Sequence, residues 1–201
     1  DDQGLSTMEI SSGIIWPEFD GQIIAIPLGT TDEYEGRSKV AMPIPGRPER
    51  IADMALRWAE MKRTPVQERK VAILLYQYTG DMEGLGDAGG LDTPQSVIRI
   101  LHRLRDEGYR VDDIPSTGNE LIEKMISGLT NDTRWISPRQ KRERSVDLVS
   151  TDQYREWFSR IPLKNQEKIT ADWGDMPGDV LTSDGVFCIP GMMNGNVFIG
   201  I

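Results

Sequence analysis

Five apolar residues, Val71-Ala72-Ile73-Leu74-Leu75, run without a break, and a stretch dense in glycine and acids follows from Gly80. A run this short reads as a strand. Because it shows no polar alternation, it is expected to be covered on both faces, the mark of a parallel sheet. Thr93 is placed to cap the next helix, with Pro94 at its first position. Val97, Leu101 and Leu104 share one face of that helix, and Gly108 supplies its stop. Arg110–Ile114 then reads as a second strand and Asn119–Ile126 as a second helix. Strand, helix and strand in succession make a right-handed βαβ unit. The fold class is therefore α/β: a mainly parallel, Rossmann-like open sheet flanked by helices, with a short C-terminal strand pair.

The loop after this strand contains Gly84-Leu85-Gly86-Asp87-Ala88-Gly89, which spells G-x-G-x-x-G. In a dinucleotide site the first glycine turns directly off the strand and the helix begins at once. Here the strand ends near Tyr78 and the helix waits until Thr93, so the spacing fails on both sides. Asp81, Glu83, Asp87 and Asp92 surround the glycines with no Lys or Arg to offset a pyrophosphate. Asp112-Asp113 lie about where a ribose-binding carboxylate would, but acids at strand ends are common. No G-K-[ST] follows to make a Walker loop. No nucleotide cofactor is expected. What remains is an acidic loop at the carboxyl end of a parallel strand, where open α/β sheets bind ligands, or else a plain surface connection.

Around this centre, residues 5–15 have helical character, closed by Trp16-Pro17, and Gln22–Ile26 reads as a short strand. Residues 28–47 read as a long exposed loop. A helix follows, with Pro48 in its first turn and Ile51, Met54, Ala55, Trp58 and Met61 along one stripe. Residues 1–68 are expected to form the end of a preceding helical and strand segment with a long loop and a connecting helix. Residues 69–201 are expected to form an α/β domain truncated at its C-terminus. In that domain Arg134–Arg144, with five cations and one acid, reads as a solvated, mobile connection or, alternatively, a docking patch for an acidic partner. Thr151-Asp152 can cap a helix to Arg160, and Leu163–Asp172 forms another. Trp173–Gly178 is a turn-rich loop, and Val186–Ile189 and Asn196–Ile201 are short strands, joined as a hairpin. Both ends of the chain look cut from a larger protein.

Charge and composition limit the function. A net charge of −9 argues against a nucleic-acid partner. No apolar run is long enough to cross a bilayer, and no signal segment opens the chain, so a cytoplasmic location with no membrane partner is expected. One cysteine, Cys188, and one histidine, His102, exclude a disulfide framework and any cysteine-built or multi-imidazole metal site within these residues. Cys188 reads as a buried, inert thiol, His102 as a surface residue and Met192-Met193 as packing. Trp16-Pro17-Glu18-Phe19-Asp20-Gly21 sets two carboxylates beside two aromatics. Glu18 and Asp20 offer contacts to a cation or a basic ligand edge, with the aromatics as apolar walls. In the plainer reading Asp20-Gly21 is a turn, Glu18 is solvated and both rings are in the core.

The order WPEFDG, RWAEMKR, KVAILLYQYTGDMEGLGDAGGLDTPQSVIRILHRLRDEGYRV, DWGDMPGD and GNVFIGI resembles the large subunit of ATP-dependent cobaltochelatase. It is similar also to the H-type subunit of magnesium chelatase. Leu91–Pro94 and Asp184–Phe187 look more like the cobalt branch. The resemblance spans nearly the whole chain, and family members are several times longer. It implies a tetrapyrrole-binding subunit where Co²⁺ is inserted into hydrogenobyrinic acid a,c-diamide on the route to cobalamin, with Mg²⁺ and protoporphyrin IX as the alternative. It also implies AAA+-type partner subunits that hydrolyse ATP, no cofactor or metal held by this segment, and a segment inactive alone. By their place in the matching motifs, Glu18, Asp20, Asp92 and Thr93 are the candidate substrate-binding residues. A scaffold or docking module for the ATPase subunits is the reading from another class.

Overall fold

The computed structural model describes residues 5–22, 25–34, 37–76 and 90–200, with backbone alone for 31–34 and 37–40. Two units divide the chain, Asp1–Thr64 and Pro65–Ile201.

In the first unit Ser6 Oγ accepts from Glu9 N–H at 3.3 Å while the Glu9 carboxylate accepts from Ser6 N–H at 2.8 Å. This reciprocal cap starts α1 (Thr7–Ile10), which continues through a π turn, Ser11–Ile15, into α2 (Trp16–Phe19). The expected stop at Trp16-Pro17 is thus overturned, because Pro17 lies in the first turn of α2. Proline brings no N–H to the helix ladder, and the wider turn, closed by Trp16 N–H on Ser11 O, accommodates it.

Residues 28–47 are not a loop: β1 (Gly29–Tyr34) and β2 (Arg37–Pro43) form an antiparallel hairpin, with Thr31 opposite Ala41. Thr, Tyr and Val carry strand preference there that the neighbouring charges masked. The strand expected over Gln22–Ile26 is absent at Gln22, Ala25 and Ile26, and 23–24 lie outside the described residues. The helix α3 (Arg47–Arg63) begins after Gly46, at φ +77°, and carries Pro48 in its first turn as expected.

The second unit contains β3 (Val71–Leu74), α4 (Thr93–Asp106), α5 (Gly118–Ser127), α6 (Pro138–Arg144), β4 (Asp147–Ser150), α7 (Thr151–Phe158), α8 (Leu163–Trp173), β5 (Thr182–Ser183), β6 (Val186–Ile189), β7 (Met192–Asn194) and β8 (Val197–Gly200). Two three-stranded sheets result, ordered β3-β8-β7 and β4-β6-β5. The α/β class is as expected. Parallel pairing is confined, among the described residues, to β3 with β8, Val71 opposite Val197. The other described pairs are antiparallel.

Val71, Ile73 and Leu75 face a core completed by Val97, Ile98, Leu101, Leu121, Met125, Val197 and Ile199. Coverage on both faces is not found. The alternate residue Leu74 is 73% exposed, so this uniform apolar run has only its odd-numbered residues in the core. Two other expectations change. Arg110–Ile114 is extended chain without a strand ladder, and the C-terminal hairpin joins β7 to β8, while β6 pairs with β4 and β5.

Both changes trace to one cluster. Asn194, 3% exposed, accepts from Asp112 N–H at 2.7 Å and donates through Nδ2 to Asp113 O at 3.1 Å. Asn196 N–H donates to Arg110 O at 2.9 Å and Gly195 N–H to the Asp112 carboxylate at 3.1 Å. The backbone groups of 110–113 therefore bond a turn and a side chain instead of a neighbouring strand. Gly195, at φ +60°, lies so close to Arg110 that a Cβ would overlap its carbonyl.

The basic connection is also built. Arg134 Nε and Nη2 donate to the two Asp132 carboxylate oxygens at 2.9 and 2.6 Å, and a Ser137–Gln140 capping box starts α6. Those Arg134 side-chain bonds, helped by its backbone N–H, hold the Asp132 carboxyl down to about 2.

Asn194→Ala leaves the part-buried Asp112 N–H and Asp113 carbonyl without their partners and should destabilise the chain by about 1–2 kcal/mol in urea unfolding. The Asp132 carboxyl sits below its unfolded value of ~3.9, so its stabilising contribution is full above that pH and fades as pH falls toward 2. Carbon-detected NMR titration should show its midpoint rising toward the ordinary carboxylate range in Arg134→Ala.

Candidate functional site

The helix α4 starts where the glycine-rich connection from β3 returns to the described residues. Residues 77–89, including Gly84–Gly89 and Asp81, Glu83 and Asp87, lie outside them. The cap is Asp92, one residue before the expected Thr93. Its Oδ1 accepts from Gln95 N–H at 3.0 Å, while its carbonyl accepts from Ser96 N–H at 2.9 Å and Ser96 Oγ–H at 2.7 Å. Aspartate, like asparagine, outranks threonine as a cap.

Thr93 moves to the first helical position, and Pro94 follows. Its half-buried side chain is left with an Oγ1 that is out of water and has no hydrogen-bond partner among the described residues. An unmade hydrogen bond of this kind costs about 1–3 kcal/mol.

The start of α5 lies alongside. A Cβ on Gly118 would stand 3.0 Å from Pro94 Cβ, so glycine lets the two helix N-termini approach. Thr117 caps α5 by accepting from Glu120 N–H at 3.2 Å. The Glu120 carboxylate accepts from Ser116 N–H at 2.7 Å, which, with Lys124 at 3.1 Å, holds its carboxyl below the usual range. Two helix N-termini thus meet, and the carboxylates of Asp92 and Glu120 already bond N–H groups beside them.

Glu18 and Asp20 belong to the first unit. Glu18 is exposed in the single turn of α2, and Asp20 closes that turn with its N–H on Trp16 O at 3.1 Å. Gly21, at φ +88°, completes the reversal, as the turn reading required. The expectation that both rings enter the core is overturned, since Trp16 is 58% and Phe19 84% exposed. One turn of helix presents both aromatics and both carboxylates outward. The four candidates fall into two pairs, Glu18 with Asp20 and Asp92 with Thr93, in different units.

His102 is exposed beside Arg105, and Cys188 is a buried free thiol in β6, both as expected. Met192 packs on the core while Met193 is exposed. Among the described residues no group of three His, Cys, Asp or Glu side chains is placed to hold a metal ion, and no helix is long and apolar enough to cross a membrane. A cavity of about 300 Å³ between α7, α8 and the 174–180 loop went unseen in the sequence. Its only local signal is the aromatic and acidic content of Trp173-Gly174-Asp175-Met176-Pro177-Gly178-Asp179.

Replacing the new cap tests its structural share. Asp92→Ala should lower stability by about 1 kcal/mol in thermal unfolding, whereas Asp92→Asn, an equally good cap, should leave it unchanged.

Residues 1–201 all match the family model described as CobN/Magnesium Chelatase. The chain is 37% identical to an uncharacterized protein of Methanocaldococcus jannaschii, over 98% of this chain and 16% of that one. It is 31% identical to the aerobic cobaltochelatase subunit CobN of Pseudomonas aeruginosa, over 99% of this chain and 16% of that one. Its fold superposes on the catalytic subunit of cobaltochelatase from Mycobacterium tuberculosis with a TM-score of 0.78 at 30% identity, covering 100% of this chain and 16% of that structure. The chain therefore spans about a sixth of the length of these relatives. By a sequence and fold shared from end to end, it belongs to the CobN/magnesium chelatase family.

Proposed function

We propose that this chain is a segment of the cytoplasmic, macrocycle-holding subunit of an ATP-dependent chelatase that inserts Co²⁺ into hydrogenobyrinic acid a,c-diamide. The observation that carries this reading is the likeness, over the full chain, to cobaltochelatase large subunits in both sequence and fold. ATP would be hydrolysed on separate AAA+-type subunits, and the cation is a substrate of the reaction. Insertion of Mg²⁺ into protoporphyrin IX is the second reading, favoured by a family description that joins the two activities.

Metal insertion has three chemical demands: hold a flat ring by its rim, take two protons from pyrrole nitrogens and deliver a hard cation. Carboxylates meet the last two as general bases and oxygen ligands. Exposed Glu18 and Asp20, with Trp16 and Phe19 as flat apolar neighbours, suit contact with a cation or with the ring. The meeting helix starts at Asp92 and Thr93 suit the polar side groups of the macrocycle rim. Thr93 Oγ1 lacks a partner among the described residues, and a rim amide or carboxylate would provide one.

This assignment separates binding from stability. Thr93→Val removes a buried, unsatisfied hydroxyl with little change of shape, so it should keep or raise the thermal midpoint. Macrocycle affinity should fall about tenfold, the equivalent of one hydrogen bond at ~1.4 kcal/mol. The measurement is quenching of tryptophan fluorescence in the full-length protein, titrated with the corrin precursor and, separately, with protoporphyrin IX. Tighter binding of protoporphyrin IX would move the assignment to the magnesium branch. If neither ring binds, the segment is scaffold or docking surface. Unchanged affinity and insertion rate in Glu18→Gln, Asp20→Asn and Thr93→Val would remove these residues from the site.

A further inference from the structure

The cavity of about 300 Å³ beside α8 is lined by aromatic and acidic groups together. Its back wall is a short aromatic stack: Tyr154 lies against Phe187, ring centroids 4.5 Å apart and tilted by 38°, and Phe158 continues the stack at 6.0 Å. Its lip is Trp173, 73% exposed at the end of α8. Asp175 and Asp179 line the same space, and neither carboxylate has an ion pair or hydrogen bond among the described residues.

The loop that carries them is tied down at several points. Gly174 N–H closes α8 on Thr170 O at 2.9 Å, and Gly178 N–H reaches Asp175 O at 3.0 Å. Thr182 Oγ–H bonds Gly178 O at 2.8 Å, and Cys188 N–H fastens Leu181 O at 2.7 Å. Gly174 and Gly178, at φ +81° and +66°, make the turns. The walls and charges are therefore arranged in advance of any occupant.

Aromatic faces attract cations through their negative π-clouds, and nearby carboxylates add to that attraction. The volume is at the lower end of the ~300–1,000 Å³ range of small-molecule sites, which suits one long side chain better than a whole macrocycle. Exposed Trp173 and Val180 at the mouth extend the apolar surface outward, as at protein interfaces, where Trp and Tyr dominate binding energy.

We propose that this cavity seats a single cationic side chain, lysine or arginine, presented by a partner polypeptide. Two carboxylates set among aromatic walls carry this assignment, whether or not the chain serves metal insertion.

The probes are acetyl-arginine methylamide, acetyl-lysine methylamide and the neutral acetyl-norleucine methylamide. Each is titrated into the full-length protein with the Trp173 indole signal followed by NMR. Both cationic probes should shift that signal saturably, more weakly at high salt, while norleucine should not. Asp175→Asn/Asp179→Asn should weaken cationic binding at least tenfold, with the thermal midpoint unchanged. Equal binding of norleucine, or equal cation binding by the double variant, would overturn the proposal. Preference of more than tenfold for tetramethylammonium would also overturn it, reassigning the cavity to a small organic cation. In the assembled complex, zero-length carbodiimide coupling should join Asp175 or Asp179 to a partner lysine, and where the seated side chain is arginine, Asp175→Asn/Asp179→Asn should weaken assembly instead. Coupling of partner lysines only to other carboxylates of this chain would place the interface elsewhere.

Discussion

The second unit depends on β8 lying between β3 and β7. That position makes Val197 and Ile199 fully buried, in the same core as Val97, Leu101 and Leu121. Each such side chain contributes about 1.5–3 kcal/mol by leaving water. Core burial alone would leave the strand free to slide, and register is specified by polar detail at its leading end. Asn194 and the Gly195-Asn196 turn grip residues 110–113 through four directed hydrogen bonds. A slip of one residue would break them and turn Val197 and Ile199 away from the core. The same grip fixes where the chain leaves α4 and enters α5, so the approach of Gly118 to Pro94 follows from it. The paired helix starts therefore depend on contacts at the opposite end of the unit's sequence.

Much of this was legible locally. The apolar run at 71–75, the helix stripes of Val97, Leu101 and Leu104, and the proline-led starts of α3 and α4 are short-range signals, and they gave the right elements. The mistakes have a common physical source. Arg110–Ile114 has the composition of a strand, but whether it forms a ladder depends on what lies beside it, and its neighbour is a turn distant in the chain. Nearness in sequence suggests a hairpin of Val186–Ile189 with Asn196–Ile201. The intervening Met192–Asn194 takes the pairing because a two-residue turn closes it more tightly. At the candidate site, Thr93-Pro94 is legible as a helix start, but the displacement of the cap by one residue to Asp92, and the hydroxyl it leaves without a partner among the described residues, are facts of three-dimensional arrangement. The cavity between α7 and α8 draws on Tyr154, Trp173 and Phe187, which no spacing rule connects.

The glycine pattern Gly84–Gly89 poses a sharper question, since α4 does present a helix N-terminus at the end of the connection from β3. Phosphate binding at such a terminus needs free N–H groups and no competing negative charge. Asp92 denies both. Its carboxylate holds Gln95 N–H at 3.0 Å and leaves a full negative charge where a pyrophosphate would have to lie. A phosphate there would face repulsion from that carboxylate. The same arrangement tolerates a neutral amide or a hydroxyl, and it attracts a cation. The capping carboxylate thus turns this helix start from a phosphate cradle into a place that opposes anions.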